Sequence, residues 1–276
     1  MTPHHYVAII AGGVGSRFWP VSRSNYPKQF LDILHTGKTL IQSTYDRFAA
    51  FIPPENIFVV TSNEYINIVK KQLPELPLQN ILGEPSRKNT APCIAYISFK
   101  LLQKDPKASL IVAPSDHLIQ DDTAFKKVCL EALAFVQKHN ALITLGIKPT
   151  HPNTGYGYIQ QSGSAGAHGE YAVAQFAEKP SLEVAKAYLA GGEHTWNSGM
   201  FVLKASTWLK ALQQFRPDIL AATQAAWAGK TVDASFVRPN KDAFAQVPSE
   251  SIDYAVMEKC PDSNIPLHMV PLDAGW

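Results

Sequence analysis

The chain has 276 residues, 46% of them hydrophobic and 17% charged, enough to build one large domain or two small ones. Its formal net charge is only +2, and its longest basic clusters are pairs such as Lys70–Lys71 and Lys126–Lys127, which argues against a nucleic-acid-binding stripe. No stretch approaches the ~20 apolar residues of a membrane span, and "MTPHHYVAII" has no basic leader, so the expectation is a soluble cytoplasmic protein with no signal peptide and no membrane contact.

In chain order, "YVAII" (6–10), "NIFVVT" (56–61), "SLIVA" (109–113) and "ALITLGI" (141–147) read as short buried parallel strands. "TAPCIAYISFKLLQK" has helical period: Ile94, Ile97 and Leu101 share a face, Pro92 suits the first turn, and Asn89 or Thr90 can cap it. In "DDTAFKKVCLEALAFVQK", Phe125, Val128, Ala132 and Val136 repeat at 3, 4 and 4, with an acidic start and a basic end that suit the helix dipole. Strand–helix alternation over the first 150 residues predicts a doubly wound α/β sheet. Beyond it, "HPNTGYGYIQQSGSAGAHGEYAVAQF" reads as loop and hairpin, "SGMFVLK" (198–204) as a strand, the stretch to about 260 as helix-rich, and "PLHMVPLD" (266–273) as one more strand. No repeat or linker divides the chain, so a single domain over 1–276 is expected, with halves at 1–150 and 151–276. Cys93, Cys129 and Cys260 are isolated, without C-x-x-C spacing, and read as buried thiols rather than disulfides or zinc ligands.

The first strand runs into "AGGVGSRFWP". Closely spaced backbone N–H groups after a strand can cradle phosphates, and glycine allows the tight turn and close approach. The dinucleotide pattern G-x-G-x-x-G fails, because Phe18 stands where the third glycine belongs. A P-loop around "GKT" at 37–39 fails at Asp32. A ligand-free turn is the plain alternative; Arg17 and Lys28 just downstream favour an anion site.

"AGGVGSRFWPVSRSNYPKQF" resembles the signature of the sugar-1-phosphate nucleotidylyltransferases, G-G-x-G-x-R-x-x-P followed by P-K, and most closely their mannose-1-phosphate guanylyltransferase branch. "GEPSRKNTAPCIA", "VAPSDHLI", "GIKPTHPNTGYGYIQ", "FAEKP", "WNSGMFVLK", "SIDYAVMEK" and "LDAGW" resemble that branch in order and spacing, so the likeness runs from residue 11 to 276. It implies a Rossmann-like mixed, mostly parallel sheet flanked by helices, with a nucleotide-binding half (1–150) and a β-rich sugar-binding half (151–276). It also implies further chain after "DAGW" in most members, whether a left-handed β-helix, a short tail or a sugar-phosphate isomerase domain.

The implied reaction joins GTP and mannose 1-phosphate to give GDP-mannose and pyrophosphate, usually feeding surface polysaccharide synthesis, in a protein that can pair as a homodimer. Both reactants are polyanions, so alignment and charge neutralisation matter more than proton transfer. The resemblance places Arg17 and Lys28, with Ala11, Gly12, Gly13, Gly15, Ser16 and Ser115, around the triphosphate. Asp116, just past a buried strand, and Asp273 would hold Mg2+, which prefers carboxylate and phosphate oxygens; otherwise Asp116 is a helix cap. His117 reads as positional. Glu84, Arg87 and Asn89 carry the groups that guanine needs. Glu178, Lys179, Asn197, Gly155, Tyr156 and Gly157 form the expected sugar pocket, unless "NTGYGY" is only a hairpin turn. The competing readings are a uridylyl or thymidylyl transferase for glucose 1-phosphate and a non-catalytic sugar-nucleotide sensor. Glycoside hydrolysis by Glu178 with Asp116 would leave the glycine loop idle, and a dinucleotide dehydrogenase fails at Phe18.

Overall fold

A computed structural model describes residues 4–13, 21–233 and 236–276. The elements begin with β1 (His5–Ala11), α1 (Leu40–Ala49), β2 (Ile57–Ser62), α2 (Ile66–Gln72) and β3 (Ile81–Glu84). There follow α3 (Thr90–Lys104), β4 (Ser109–Pro114), α4 (Asp122–Lys138) and β5 (Leu142–Ile147). The hairpin β6 (Tyr158–Ser162) and β7 (Tyr171–Ala177) leads to α5 (Leu182–Gly191) and the long β8 (His194–Lys204). Next come α6 (Ala205–Phe215), α7 (Pro217–Ala228), the ribbon β9 (Thr231–Asp233) and β10 (Phe236–Arg238), α8 (Lys241–Ala245), α9 (Ile252–Ala255) and β11 (Leu267–Pro271).

The local chemistry behind the main elements is the one the sequence advertises. β2 and β5 are buried at every position and β1 and β4 nearly so, which is why they read as unbroken apolar runs. α3 starts where Asn89, at φ 67, turns its side chain back to accept from the Thr90 N–H. Its Ile94, Ile97 and Leu101 are buried, each contributing on the order of 1.5–3 kcal/mol over an exposed position. α4 is capped by Asp121, whose Oδ1 accepts from Thr123 and Ala124 N–H at 2.9 Å. Among the described residues Asp116 caps no helix.

Among the described residues nine strands form one sheet in the order β3-β2-β1-β4-β8-β5-β11-β7-β6. β3, β2, β1 and β4 are mutually parallel, as are β5 and β11; β8 runs antiparallel between β4 and β5, and β7 runs antiparallel to β11 and β6. Hence β1, β3, β4, β5 and β11 all end at one edge. The chain winds outward from β1 to β3 and returns to β4 on the other side of β1, which makes the β1–β4 crevice a topological switch point, where open α/β sheets bind ligands.

Helices α1, α2 and α4 cover one face of the sheet, packing Phe48, Val69, Phe125 and Leu133 against Ile9 and Val59. α3, α6 and α7 cover the other, with Tyr96, Trp208 and Leu212 against Val60, Leu110 and Leu203. Cys93, Cys129 and Cys260 are buried free thiols, as their spacing predicts. Among the described residues no helix is long and apolar enough to cross a membrane.

Candidate active site

The end of β1 is held from two sides. The Ala11 carbonyl accepts from Thr61 Oγ1 at 2.8 Å and from Gln29 Nε2 at 3.1 Å, and the same Gln29 amide donates to the Gly13 carbonyl at 2.8 Å. Buried Gln29 thus sets the direction in which the chain leaves the sheet. Gly15, Ser16 and Arg17 lie outside the described residues. Lys28 opens a short turn over 28–30, and its ammonium pairs with the Asp116 carboxylate. Asp116 follows buried Ser115, whose N–H donates to the Ile10 carbonyl at 3.2 Å. A cation and an anion therefore meet at the switch point, beside the exit of β1.

On the α3 side of that exit lies a cavity of about 390 Å³, lined by Gly12, Gly13, Glu84, Arg87, Asn89 and their neighbours. Glu84, the last residue of β3, is 6% exposed, and its Oε1 has no hydrogen-bond partner among the described residues. Burial pushes its carboxyl up to about 8. A Cβ on Gly12 would stand 3.8 Å from Glu84 Oε2, so strand end and carboxyl face one another. Arg87 is fixed to the wall: it donates to Tyr65 Oη at 2.8 Å and lies 3.6 Å from Glu64. Asn89 spends its carbonyl on capping α3, whose N-terminus opens into the cavity. The three residues expected at the base pocket therefore come together, each in a different state: one unpaired acid, one tethered cation and one cap.

The second half brings another cluster together. The Asn197 N–H donates to the Gly157 carbonyl at 2.8 Å. Asn197 Oδ1 accepts from Thr144 Oγ1 at 2.9 Å and from Gly199 N–H at 3.0 Å, and its Nδ2 donates to Asp253 Oδ1 at 2.9 Å. A register shift between β5 and β8 at Thr144/Gly146, with Gly199 at φ 73, lets the Asn197 side chain fold back this way. A Cβ on Gly157 would lie 2.5 Å from Glu178 Oε2 and 3.3 Å from Asn197 Cβ, so only glycine admits this approach. Glu178, its side chain 8% exposed, donates its N–H to Glu258 Oε1 at 2.9 Å and pairs through its carboxylate with Lys179.

Two expected sugar residues sit elsewhere. Gly155 donates its N–H to Asn153 Oδ1 at 2.8 Å in an Asx-type turn on the connection between β5 and β6, so "NTGYGY" is not the tip of the hairpin. Tyr156 turns its ring onto Trp196 and Trp276, at centroid distances of 5.1 and 5.2 Å. It lines a second cavity, of about 340 Å³, next to Asp116 and His117.

The chain around Asp273 is tied to the Asp116 loop. Gln120 N–H donates to the Ala274 and Gly275 carbonyls at 2.9 and 3.2 Å, Asp121 N–H donates to Ala274 at 3.0 Å, and Trp276 Nε1 donates to His117 Nδ1 at 3.4 Å. Burial lowers His117, keeping it neutral as that bond requires. Two aspartates on joined segments at the strand-end edge of the sheet are oxygen donors of the kind a hard divalent cation takes. Gln29, Thr144, Asp253 and Glu258 escaped the sequence reading. Each makes its contact across 16 or more positions; Gln29 stood in "AGGVGSRFWPVSRSNYPKQF" and Asp253 and Glu258 in "SIDYAVMEK", but the resemblance gave none of them a role.

Several known proteins are similar over nearly all of this chain. "Xanthan biosynthesis protein XanB" of Xanthomonas campestris pv. campestris (strain B100) is 46% identical over 270 residues, 97% of this chain and 56% of its own. "Mannose-1-phosphate guanylyltransferase" of Escherichia coli (strain K12) is 42% identical over 278 residues, 98% of this chain and 57% of its own. The chain thus spans little more than half the length of these curated relatives. A crystal structure from Thermus thermophilus, described as a "mannose-1-phosphate geranyltransferase", superposes with a TM-score of 0.84 at 29% identity, over 98% of this chain and 74% of that one. The nucleotidyl transferase family is matched across residues 6–258, from the first strand to the turn after α9, and the chain belongs to that family.

Proposed function

We propose that this chain transfers GMP from GTP to mannose 1-phosphate, releasing pyrophosphate and forming GDP-mannose. The observation that carries the reading is Glu84: a buried carboxyl with an open oxygen, in a cavity that ends at Gly12 and Gly13. Guanine presents a ring N–H and an amino group side by side, and an ionised carboxylate accepts from both. Uracil and thymine lack that paired donor edge. The 46% and 42% identical relatives support the same choice of nucleotide and sugar.

With the base against Glu84, the triphosphate runs over the end of β1 toward Lys28. The Lys28 ammonium, held by Asp116, neutralises charge on the transferring phosphorus while the sugar phosphate attacks in line. Gln29 fixes the backbone over which that happens. Glu178 and Asn197 orient the sugar, and Gly157 brings its backbone close. Members of this family typically use a divalent metal; Mg2+ is the ion proposed for this chain, held by Asp116 and Asp273, and when bound it would neutralise phosphate oxygens. His117 stays neutral and positional against Trp276.

The test is pyrophosphate release with mannose 1-phosphate and each of GTP, ATP, UTP and dTTP in turn. GTP alone should support turnover. Equal turnover with UTP or dTTP and glucose 1-phosphate would refute the assignment, and tight GDP-mannose binding without turnover in either direction would make the chain a sensor.

A further inference from the structure

The Glu178–Asn197 cluster contains a third acid, half-buried, with no assigned role. Asp253 lies in the first turn of α9, hydrogen-bonded to Asn197 of β8 and close to Glu178 and Lys179, which follow β7. One of its oxygens, Oδ1, accepts from Asn197 Nδ2 at 2.9 Å. Asn197 is in turn immobilised by Thr144 and Gly199, so the amide cannot rotate away and the Asp253 carboxyl is held in one orientation. Glu178 lies close enough to oppose the charge of Asp253, while Lys179 and the Asn197 amide favour it.

The charge of this patch selects its ligand. Glu178, Asp253 and Glu258 bring three acids to this patch, and among the described residues the cation paired there is Lys179, which Glu178 already engages. A phosphate is repelled by that balance; a neutral polyol, all donors on its O–H groups, is not. Charged oxygens bond hydroxyls more strongly than neutral partners do.

We propose that Asp253 accepts a hydroxyl of the sugar through Oδ2, beside Glu178, and that the two acids together read a pair of ring hydroxyls at the end of the substrate remote from its phosphate. This rests on the reading of the second half as the sugar pocket. Asp253 is then a substrate-contacting residue that sets which hexose phosphate is accepted, and Asn197 is the group that holds it.

The experiment compares wild type with Asp253→Asn on mannose 1-phosphate and its 2-, 3- and 4-deoxy analogues. Steady-state kinetics are run with saturating GTP, and each sugar phosphate is also titrated calorimetrically without turnover. Asp253→Asn should raise KM for mannose 1-phosphate about ten- to hundredfold and leave KM for GTP unchanged, the usual effect of losing a charge-assisted hydrogen bond. Wild type should reject two of the deoxy analogues by a similar factor, one for each hydroxyl of the pair, and the variant should no longer distinguish one of them from the parent sugar. An unchanged KM refutes the proposal. So does a raised KM with every analogue still rejected as in wild type, since Asp253 then only supports Asn197. The titrations separate the two levels of the argument. Wild type that binds the sugars with this pattern but forms no GDP-mannose defeats the transferase reading and leaves the Asp253 contact standing; wild type that binds none of the sugars defeats both.

Discussion

Replacing Glu84 by Gln keeps the size of the side chain and removes its titration. Burial moves the Glu84 carboxyl from 4.5 to about 8 in the fold. Between those values the folded protein holds a proton that the unfolded chain has released. The sign follows: the stability this group lends is complete below about 4.5 and is lost as pH rises through about 8. At about 1.4 kcal/mol per unit, the loss is at most roughly 5 kcal/mol, and a few kcal/mol once the ionised carboxylate draws in water. Glu84→Gln should therefore match wild type near pH 5 and exceed it by a few kcal/mol near pH 9. Urea unfolding of both proteins at pH 5, 6.5, 8 and 9 reads the difference directly. The comparison cancels His5, His117, His194 and His268, which burial lowers and which favour stability in the opposite direction. A stability difference that is flat across this range would refute the buried-acid reasoning. The same substitution bears on the nucleotide. Guanine binding should draw the proton from Glu84, so wild-type KM for GTP should fall as pH rises from 6 to 8. In Glu84→Gln the amide sets one donor against guanine's own donors, so KM for GTP should rise about a hundredfold and lose its pH dependence.

Three further outcomes follow from the same geometry. Lys28→Ala removes the cation paired with Asp116 and should cut kcat by about 10²–10³ without changing the melting temperature; near-wild-type pyrophosphate release would exclude the assigned role. Gly157→Ala places a methyl 2.5 Å from Glu178 Oε2, so it should raise KM for mannose 1-phosphate, spare KM for GTP and cost about 1–3 kcal/mol in chemical unfolding. Gln29→Leu strips the Ala11 and Gly13 carbonyls of a shared donor and should cost about 2–4 kcal/mol while lowering kcat more than it changes either KM; unaltered kcat would show that the loop does not depend on this anchor.

How much of this was legible beforehand depends on how local each signal is. The β1, β2, β4 and β5 runs and the α3 and α4 periodicities announced themselves because burial on both faces, or on one helical stripe, repeats within a single segment. α3 even begins and ends as read, since Asn89 caps it through its own neighbour. β3 carries no such signal: four residues, "ILGE", are too few for any period, and their burial is imposed by β2, α2 and β10. Gly155, Tyr156 and Gly157 are neighbours in the sequence, but Gly155 and Tyr156 lie in the turn before β6, and the backbone there carries the Tyr156 ring onto Trp196 and Trp276 while Gly157 meets Asn197.

The amino-acid order by itself determined the alternating α/β architecture, the glycine exit from β1 and the residue types that phosphate, metal and sugar require, because each is written in contiguous residues. Only the tertiary structure decided that β8 runs between β4 and β5, that Gln29 braces Ala11 and Gly13, and that Asn197 meets Asp253 across 56 positions. Those contacts arise when distant segments are packed against one sheet edge, and no property of either segment alone encodes the partner it will find there.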